Sequence, residues 1–136
     1  MLPSGDGIAT TPLAGYQGLC LDIASDNNAP GTKVDIYTCN GTDGQQWTEE
    51  PNGTVRADGD CLDVKGGGTA NGTLVDLYTC NGTGAQVWQP QSDGALLNPQ
   101  SGKCLDDTGK STTPGTKLQI WSCTGAANQQ WTLPAG

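Results

Sequence analysis

Three segments of this chain are written on one template. Cys20-Leu21-Asp22, Cys61-Leu62-Asp63 and Cys104-Leu105-Asp106 each open a segment that runs through an alternating strand to an aromatic residue and a second cysteine. Each then closes on Gln-x-Trp, at Gln45-Gln46-Trp47, Gln86-Val87-Trp88 and Gln129-Gln130-Trp131. The copies are offset by 41 and 43 residues, and in every copy the cysteines are 19 apart with the Trp 8 beyond the second. A period of this length marks one supersecondary unit used three times. Any surface pocket of one copy is therefore a candidate in all three.

The copies occupy approximately residues 7–48, 49–89 and 90–133, so 1–136 is expected to be a single domain. No apolar run approaches the roughly 18 residues of a membrane helix, and Met1-Leu2-Pro3 begins no basic, hydrophobic signal region. That start reads as the edge of a domain cut from a longer protein, and the expectation is a monomer without membrane insertion. The formal charge of -8, from 14 acidic and 6 basic residues, repels phosphate backbones and anionic membranes. Nucleic-acid binding is thus argued against, while neutral ligands remain open. With 5% aromatic residues and no Phe, the core must rest on Val, Leu, Ile and four tryptophans, and such a core is helped by cross-links.

Six cysteines allow 15 connectivities, and the repetition chooses one. Only Cys20 with Cys39, Cys61 with Cys80 and Cys104 with Cys123 can be made identically in each copy. Each bridge closes a loop of about 20 residues, contributing roughly 3 kcal/mol in the chain-entropy model. A metal reading lacks the closely spaced thiolates or histidines it needs, since there is no CxxC and no His. Disulfides point to an oxidising compartment, and so to secretion.

Short runs of Val, Ile, Leu, Tyr and Thr alternate with Gly, Asn, Asp and Pro clusters, which predicts an all-β chain without helices of useful length. Val34-Asp35-Ile36-Tyr37, Val75-Asp76-Leu77-Tyr78 and Leu118-Gln119-Ile120-Trp121 alternate with period two. Their aliphatic residues are expected to face the core, leaving Asp35 with Tyr37, Asp76 with Tyr78 and Gln119 with Trp121 on the opposite face. Asn-Gly pairs at Asn40, Asn52, Asn71 and Asn81 are predicted to turn tight hairpins. Each also opens an Asn-Gly-Thr triplet of the N-glycosylation pattern, but the turn already explains it.

Paired CLD and Gln-x-Trp motifs in three copies resemble the ricin B-type lectin family, also called family 13 carbohydrate-binding modules. The resemblance covers roughly residues 7 to 133 and implies a β-trefoil of three pseudo-symmetric repeats, each of about four strands. It also implies that Trp47, Trp88 and Trp131 are core residues rather than sugar-stacking ones.

Physical chemistry independently suggests where a sugar would bind. Its hydroxyls donate to carboxylates and its C–H face packs on an aromatic ring, so both partners must meet on one surface. In each copy the CLD aspartate precedes the outward aromatic by 15 residues, pairing Asp22 with Tyr37, Asp63 with Tyr78 and Asp106 with Trp121. The resemblance adds a Gln two residues before the aromatic, an Asn before Gln-x-Trp, and the Gln of Gln-x-Trp itself. The third copy carries all of these, as Asp106, Gln119, Trp121, Asn128 and Gln129. The first and second keep Gln45 and Gln86 but have Asp35 and Asp76 for the other Gln, and Gly44 and Ala85 for the Asn. Each substituted aspartate is read as a second acceptor-only group, which sets those two sites apart.

Three other readings compete. The aspartates after the cysteines are turn caps in a purely structural trefoil, one incapable of binding. Alternatively, Asp22 with Asp35 and Asp63 with Asp76 form glycoside hydrolase dyads if about 5 to 9 Å apart. Against that stand the absence of His, a glutamate count limited to Glu49 and Glu50, Gln119 in the third copy, and the expectation that open sites raise no carboxyl pKa by burial. A calcium ion on Asp22 and Asp35 falls short of its six to eight oxygens unless loop carbonyls contribute. The favoured reading is a secreted, non-catalytic module that needs no cofactor or metal. Its expected partners are mono- or oligosaccharides and polysaccharides with galactosyl or xylosyl/arabinosyl residues, and its setting a polysaccharide-degrading enzyme.

Overall fold

The computed structural model of the chain describes residues 11–24, 27 and 29–132. The expected outer limits of the first and third copies, residues 7 and 133, lie outside them. Eleven strands form one sheet system: β1 (Thr11–Pro12), β2 (Cys20–Ile23), β3 (Thr32–Tyr37), β4 (Gln46–Glu49), β5 (Val55–Ala57), β6 (Asp60–Val64), β7 (Val75–Tyr78), β8 (Gln89–Pro90), β9 (Leu96–Asn98), β10 (Lys103–Asp107) and β11 (Thr116–Trp121). Among the described residues the only helical segments are short 3₁₀ turns. Ala14 bridges Thr132 at the place of a twelfth strand, so the first and third copies pair. This is the β-trefoil, and that closure leaves little free sheet edge.

The three alternating runs form β3, β7 and β11, each antiparallel to the CLD strand before it. Their tips pair with one another as a triangular cap, through Thr32 with Leu77, Thr116 with Ile36, and a bridge from Leu74 to Gln119. Glycines reinforce the cap: Gly31 N–H donates to Leu77 O at 2.7 Å, Gly72 to Ile120 O at 2.9 Å and Gly115 to Ile36 O at 2.8 Å.

Period-two alternation puts Val34, Ile36, Val75, Leu77, Leu118 and Ile120 into the core, where they join Leu21, Leu62 and Leu105. Trp47, Trp88 and Trp131 are also core residues, at 5% exposure or less. A buried indole still needs an acceptor, and each finds the carbonyl of a CLD leucine: Trp47 Nε1 donates to Leu21 O at 2.9 Å, Trp88 to Leu62 O at 3.0 Å and Trp131 to Leu105 O at 3.1 Å. Each Gln-x-Trp thereby pins its own hairpin to the barrel. The three intra-copy disulfides are present, each with a Cα–Cα separation of 5.1 Å.

The Asn-Gly expectation needs correction. Gly53 turns the β4–β5 hairpin, with φ of +89° and its N–H on Glu50 O at 3.0 Å. Gly41, Gly72 and Gly82 also have positive φ, but they sit in longer loops. There the preceding Asn side chain organises the loop: Asn40 Oδ1 accepts from Thr42 N–H at 3.1 Å and Asn81 Oδ1 from Thr83 N–H at 3.1 Å. Asn71 Oδ1 instead reaches the third copy, accepting from Ser122 N–H at 2.8 Å.

Candidate functional site

The third copy assembles the densest polar constellation. Antiparallel register places Asp106 of β10 opposite Gln119 of β11, and the 3₁₀ turn Ala127–Gln129 brings two more amides to the same carboxylate. Gln119 Nε2 donates to Asp106 Oδ1 at 2.9 Å, while Asn128 Nδ2 and Gln129 Nε2 donate to Oδ2 at 3.2 and 2.8 Å. Three amide donors converging on one carboxylate fix its position and orientation. Two residues beyond Gln119, the Trp121 ring stands 41% exposed on the same face. Asp106, Gln119, Trp121 and Asn128 border an open groove of about 650 Å³, with Thr108, Gly109, Lys110, Thr124 and Ala126 around them. Gly72 of the second copy abuts it: a Cβ there would lie 3.9 Å from both Gln119 Oε1 and the Trp121 ring, so the hairpin cap makes each groove a shared structure.

The second copy builds a related groove of about 690 Å³ from Asp63, Asp76 and Tyr78. Lys65 and Asn81 line it, as does Gln100, whose Nε2 crosses from the third copy to Gly67 O at 3.3 Å. In the first copy Asp22 and Asp35 face each other across β2 and β3, with Tyr37 41% exposed beside them. Gly44 and Ala85 supply no counterpart to the Asn128 amide.

Two expectations about these carboxyls are overturned. Asp35 and Asp76 were expected in open sites where burial raises no pKa, yet they are only 8% and 7% exposed. Burial, then a hydrogen bond with Asp22, then that residue's charge push Asp35 up to about 8. Burial, the hydrogen bond with Asp63 and its charge push Asp76 up to about 7, against the opposing pull of Lys65 and of its own backbone amide. Below those raised values a carboxyl carries a proton and donates as well as accepts, so acceptor-only does not describe it. The reason is local: Asp35 and Asp76 sit where the strand tips pair, opposite Lys117 and Lys33, while Tyr37 and Tyr78 farther along the same faces stay exposed.

The glutamines of Gln-x-Trp also differ from expectation. Gln45, Gln86 and Gln129 are fully buried, so none can touch a ligand directly. Each instead splices the repeat together. Gln45 Nε2 donates to Asp22 Oδ1 at 3.1 Å and Thr38 O at 3.0 Å, while its Oε1 accepts from Asn40 N–H at 2.8 Å. Gln86 repeats this with Asp63, Thr79 and Asn81. Gln129 does so with Asp106, Ser122 and Thr124.

Some groove residues escaped the sequence reading. Lys65 directly follows CLD-Val, a position with no repeat signature, and Gln100 belongs to the next copy, so no spacing within the second copy points to it. Asp107 had a visible signal, since it stands where the other copies carry Ile23 and Val64. It is fully buried and neither carboxylate oxygen has a partner. Among the described residues no group of three or more His, Cys, Asp or Glu is arranged to hold a metal ion.

Fold and grooves together define a three-copy β-trefoil that presents an aspartate beside an outward aromatic ring. The sequence profile of the ricin-type beta-trefoil lectin domain matches residues 9–131, and the chain belongs to that family. Its structure is similar to that of the designed threefold-symmetric protein ThreeFoil, with a TM-score of 0.81 and 31% identity over 93% of this chain and 96% of that one. It is similar also to a non-toxic homologue of type II RIPs from Momordica charantia, solved in complex with α-methyl-D-galactoside, with a TM-score of 0.83 and 30% identity over 92% of this chain and 47% of that one. A third is 1,3Gal43A, an exo-β-1,3-galactanase from Clostridium thermocellum, with a TM-score of 0.81 and 27% identity over 98% of this chain and 31% of that one. The chain's matched segments span 11% and 9% of the length of two curated relatives.

Proposed function

We propose that the chain is a non-catalytic carbohydrate-binding module of one domain, taking galactosyl or xylosyl/arabinosyl residues of glycans in the grooves of its three repeats. The observation that carries this reading is Asp106, fixed by three amide donors beside the open face of Trp121. A sugar hydroxyl donating to the carboxylate leaves the ring free to cover the sugar's C–H face. The galactoside-bound Momordica homologue supports a galactosyl ligand. Asp106, Gln119, Trp121 and Asn128 make the principal site. Asp22, Asp35 and Tyr37, and Asp63, Asp76 and Tyr78, make the two lesser ones. Gln45, Gln86 and Gln129 serve as supports.

Absence of catalysis is proposed on geometry. A hydrolytic pair needs its carboxyls about 5 Å or more apart, with the glycosidic bond between them. Asp35 lies directly opposite Asp22, and Asp76 opposite Asp63, in the hairpin register, and Asp22 and Asp63 raise the pKa of the acids they face; pairs set this close within one hairpin leave no place for a glycosidic bond between them. Carboxylate, amides and a ring suffice for binding, so no cofactor is invoked. The three disulfides support secretion. No helix among the described residues is long and apolar enough to cross a membrane. A parent protein carrying a polysaccharide-degrading enzyme is the proposed setting, supported by the galactanase that shares this fold over part of its chain.

One shallow groove offsets little of the cost of association, so each site is expected to bind a monosaccharide with a Kd on the order of 0.1 to 1 mM, about 4 to 5.5 kcal/mol. Engagement of one polymer at several grooves raises avidity without new contacts. A glycan array probed with the purified chain tests the reading. Retention on β-galactans, arabinans or arabinoxylans is expected, and retention on none of them contradicts it.

A further inference from the structure

Three equivalent residues face the CLD aspartates across their hairpins: Asp35 opposite Asp22, Asp76 opposite Asp63, and Gln119 opposite Asp106. At the third position the facing group is a donor, because Gln119 Nε2 hydrogen-bonds Asp106 Oδ1 at 2.9 Å. At the first two it is a carboxyl, which has no hydrogen to give when ionised. Both carboxyls are more than nine-tenths buried, and each has a buried Oδ1 without a partner. Two carboxylates facing each other and shielded from water repel strongly, and a single shared proton removes the repulsion while supplying the missing donor.

We propose that a proton held on Asp35 against Asp22, and on Asp76 against Asp63, is an obligatory component of the first and second sugar sites, standing in for the Gln119 amide of the third, so that alkaline pH empties two grooves and spares one. This rests on the sugar-site reading given above. Loss of the proton to water adds one negative charge to each pair, removes the donor that orients the CLD aspartate, and drives the two side chains apart. The third groove has no such proton to lose.

The charged neighbours do not cancel the effect. Asp35 faces Asp22 across its own hairpin and Lys117 at the register position of β11. Asp76 faces Asp63, Lys33 at the register position of β3, and Lys65 in the groove. Tyr37 and Tyr78 share those strand faces two residues on. Lys33 and Lys117 are exposed, whereas Lys65 acts on Asp76 and lowers its pKa. The carboxyl at the second groove, pushed up to about 7, is therefore expected to release its proton before that at the first, at about 8.

Two measurements on the intact chain test this. Without sugar, the carboxyl carbon shifts of Asp35 and Asp76 are followed by NMR from pH 4 to 10, with midpoints expected above 6.5. With sugar, methyl α-D-galactoside and xylose are titrated at pH 6 and pH 9 while the rings of Tyr37, Tyr78 and Trp121 report each groove separately. At one decade of affinity per pH unit beyond the midpoint, binding is expected to weaken at pH 9 by about 100-fold at Tyr78 and about tenfold at Tyr37, and by less than about twofold at Trp121. Asp35→Gln with Asp76→Gln supplies permanent amides and is expected to restore binding at pH 9. The proposal is overturned by midpoints below pH 5, by first and second grooves that bind equally at both pH values, or by binding that appears only on adding calcium. Silence of all three rings at both pH values, Trp121 included, refutes the sugar-site reading itself and the proposal with it.

Discussion

Gln129 and Asp106 lie 23 residues apart in the chain, yet the Gln129 amide donates to the Asp106 carboxylate at 2.8 Å. Gln45 with Asp22 and Gln86 with Asp63 repeat the contact at 3.1 and 3.2 Å. The opening and closing motifs of every copy are therefore two ends of one hydrogen-bonded unit. The Gln anchors the aspartate, the adjoining Trp anchors the CLD backbone, and the disulfide ties the strand between them.

Gln129→Leu keeps the buried volume but removes the partner of Ser122 O and of Thr124 N–H, and one of the two amides on Asp106 Oδ2. Each lost hydrogen bond contributes about 0.5–1.5 kcal/mol and the one to the carboxylate about 1.5–3, so a total loss of about 2–4 kcal/mol is expected in urea denaturation. Weaker sugar binding at the third groove should accompany it although Gln129 touches no ligand. A variant that keeps full stability would show that the buried glutamine is dispensable.

Among the described residues Asp106 is the one carboxylate that three side-chain amides hold, and Asp106→Ala is expected to abolish most monosaccharide binding. Asp22→Ala and Asp63→Ala act on grooves lacking the Asn128 amide and are expected to cost less. Calorimetric titration of the three variants with one simple sugar checks the ranking. Equal losses from all three variants would contradict it.

Asp107 occupies a core position that Ile23 and Val64 fill in the other copies. Burial, and then the Asp106 charge, push its carboxyl up to about 6, with only the Ser111 backbone amide opposing. A native-state pKa raised above the unfolded value means that the folded chain binds the proton more tightly. Stability linked to this group is therefore fully present below about pH 4 and lost as pH rises through about 6. Asp107→Val is expected to stabilise the fold by about 1–3 kcal/mol at pH 7 and by little at pH 4, measured as urea midpoints at both. Destabilisation at pH 7 would mean that the buried carboxylate has a partner the fold needs.

Repeat number, the three alternating strands, disulfide pairing and the tryptophan core were legible because each is written as a spacing, and spacing survives folding unchanged. What polar residues do once packed was not. Alternation assigns Asp35 and Asp76 to the face away from the core, but cannot reveal that both are buried there at the tips of paired strands, each facing another acid. The glutamines of Gln-x-Trp have the composition of a binding residue and the burial of a core residue, and only the register of the hairpins separates the two. Gln100 was unreadable for another reason, as it enters the second groove from the following copy. Asp107 could have been found by laying the copies side by side and asking why one aliphatic position had become acidic.

The account depends most on the third groove being a sugar site. Titrating the ¹⁵N-labelled chain with methyl α-D-galactoside and with xylose, at a pH near 6, reads that directly through the Trp121 indole N–H and the side-chain amides of Gln119 and Asn128. All three signals are expected to move together, saturating with a Kd on the order of 0.1 to 1 mM for at least one of the two sugars. Signals that stay in place up to sugar concentrations on the order of 50 mM, well beyond the weak end of that range, would contradict it.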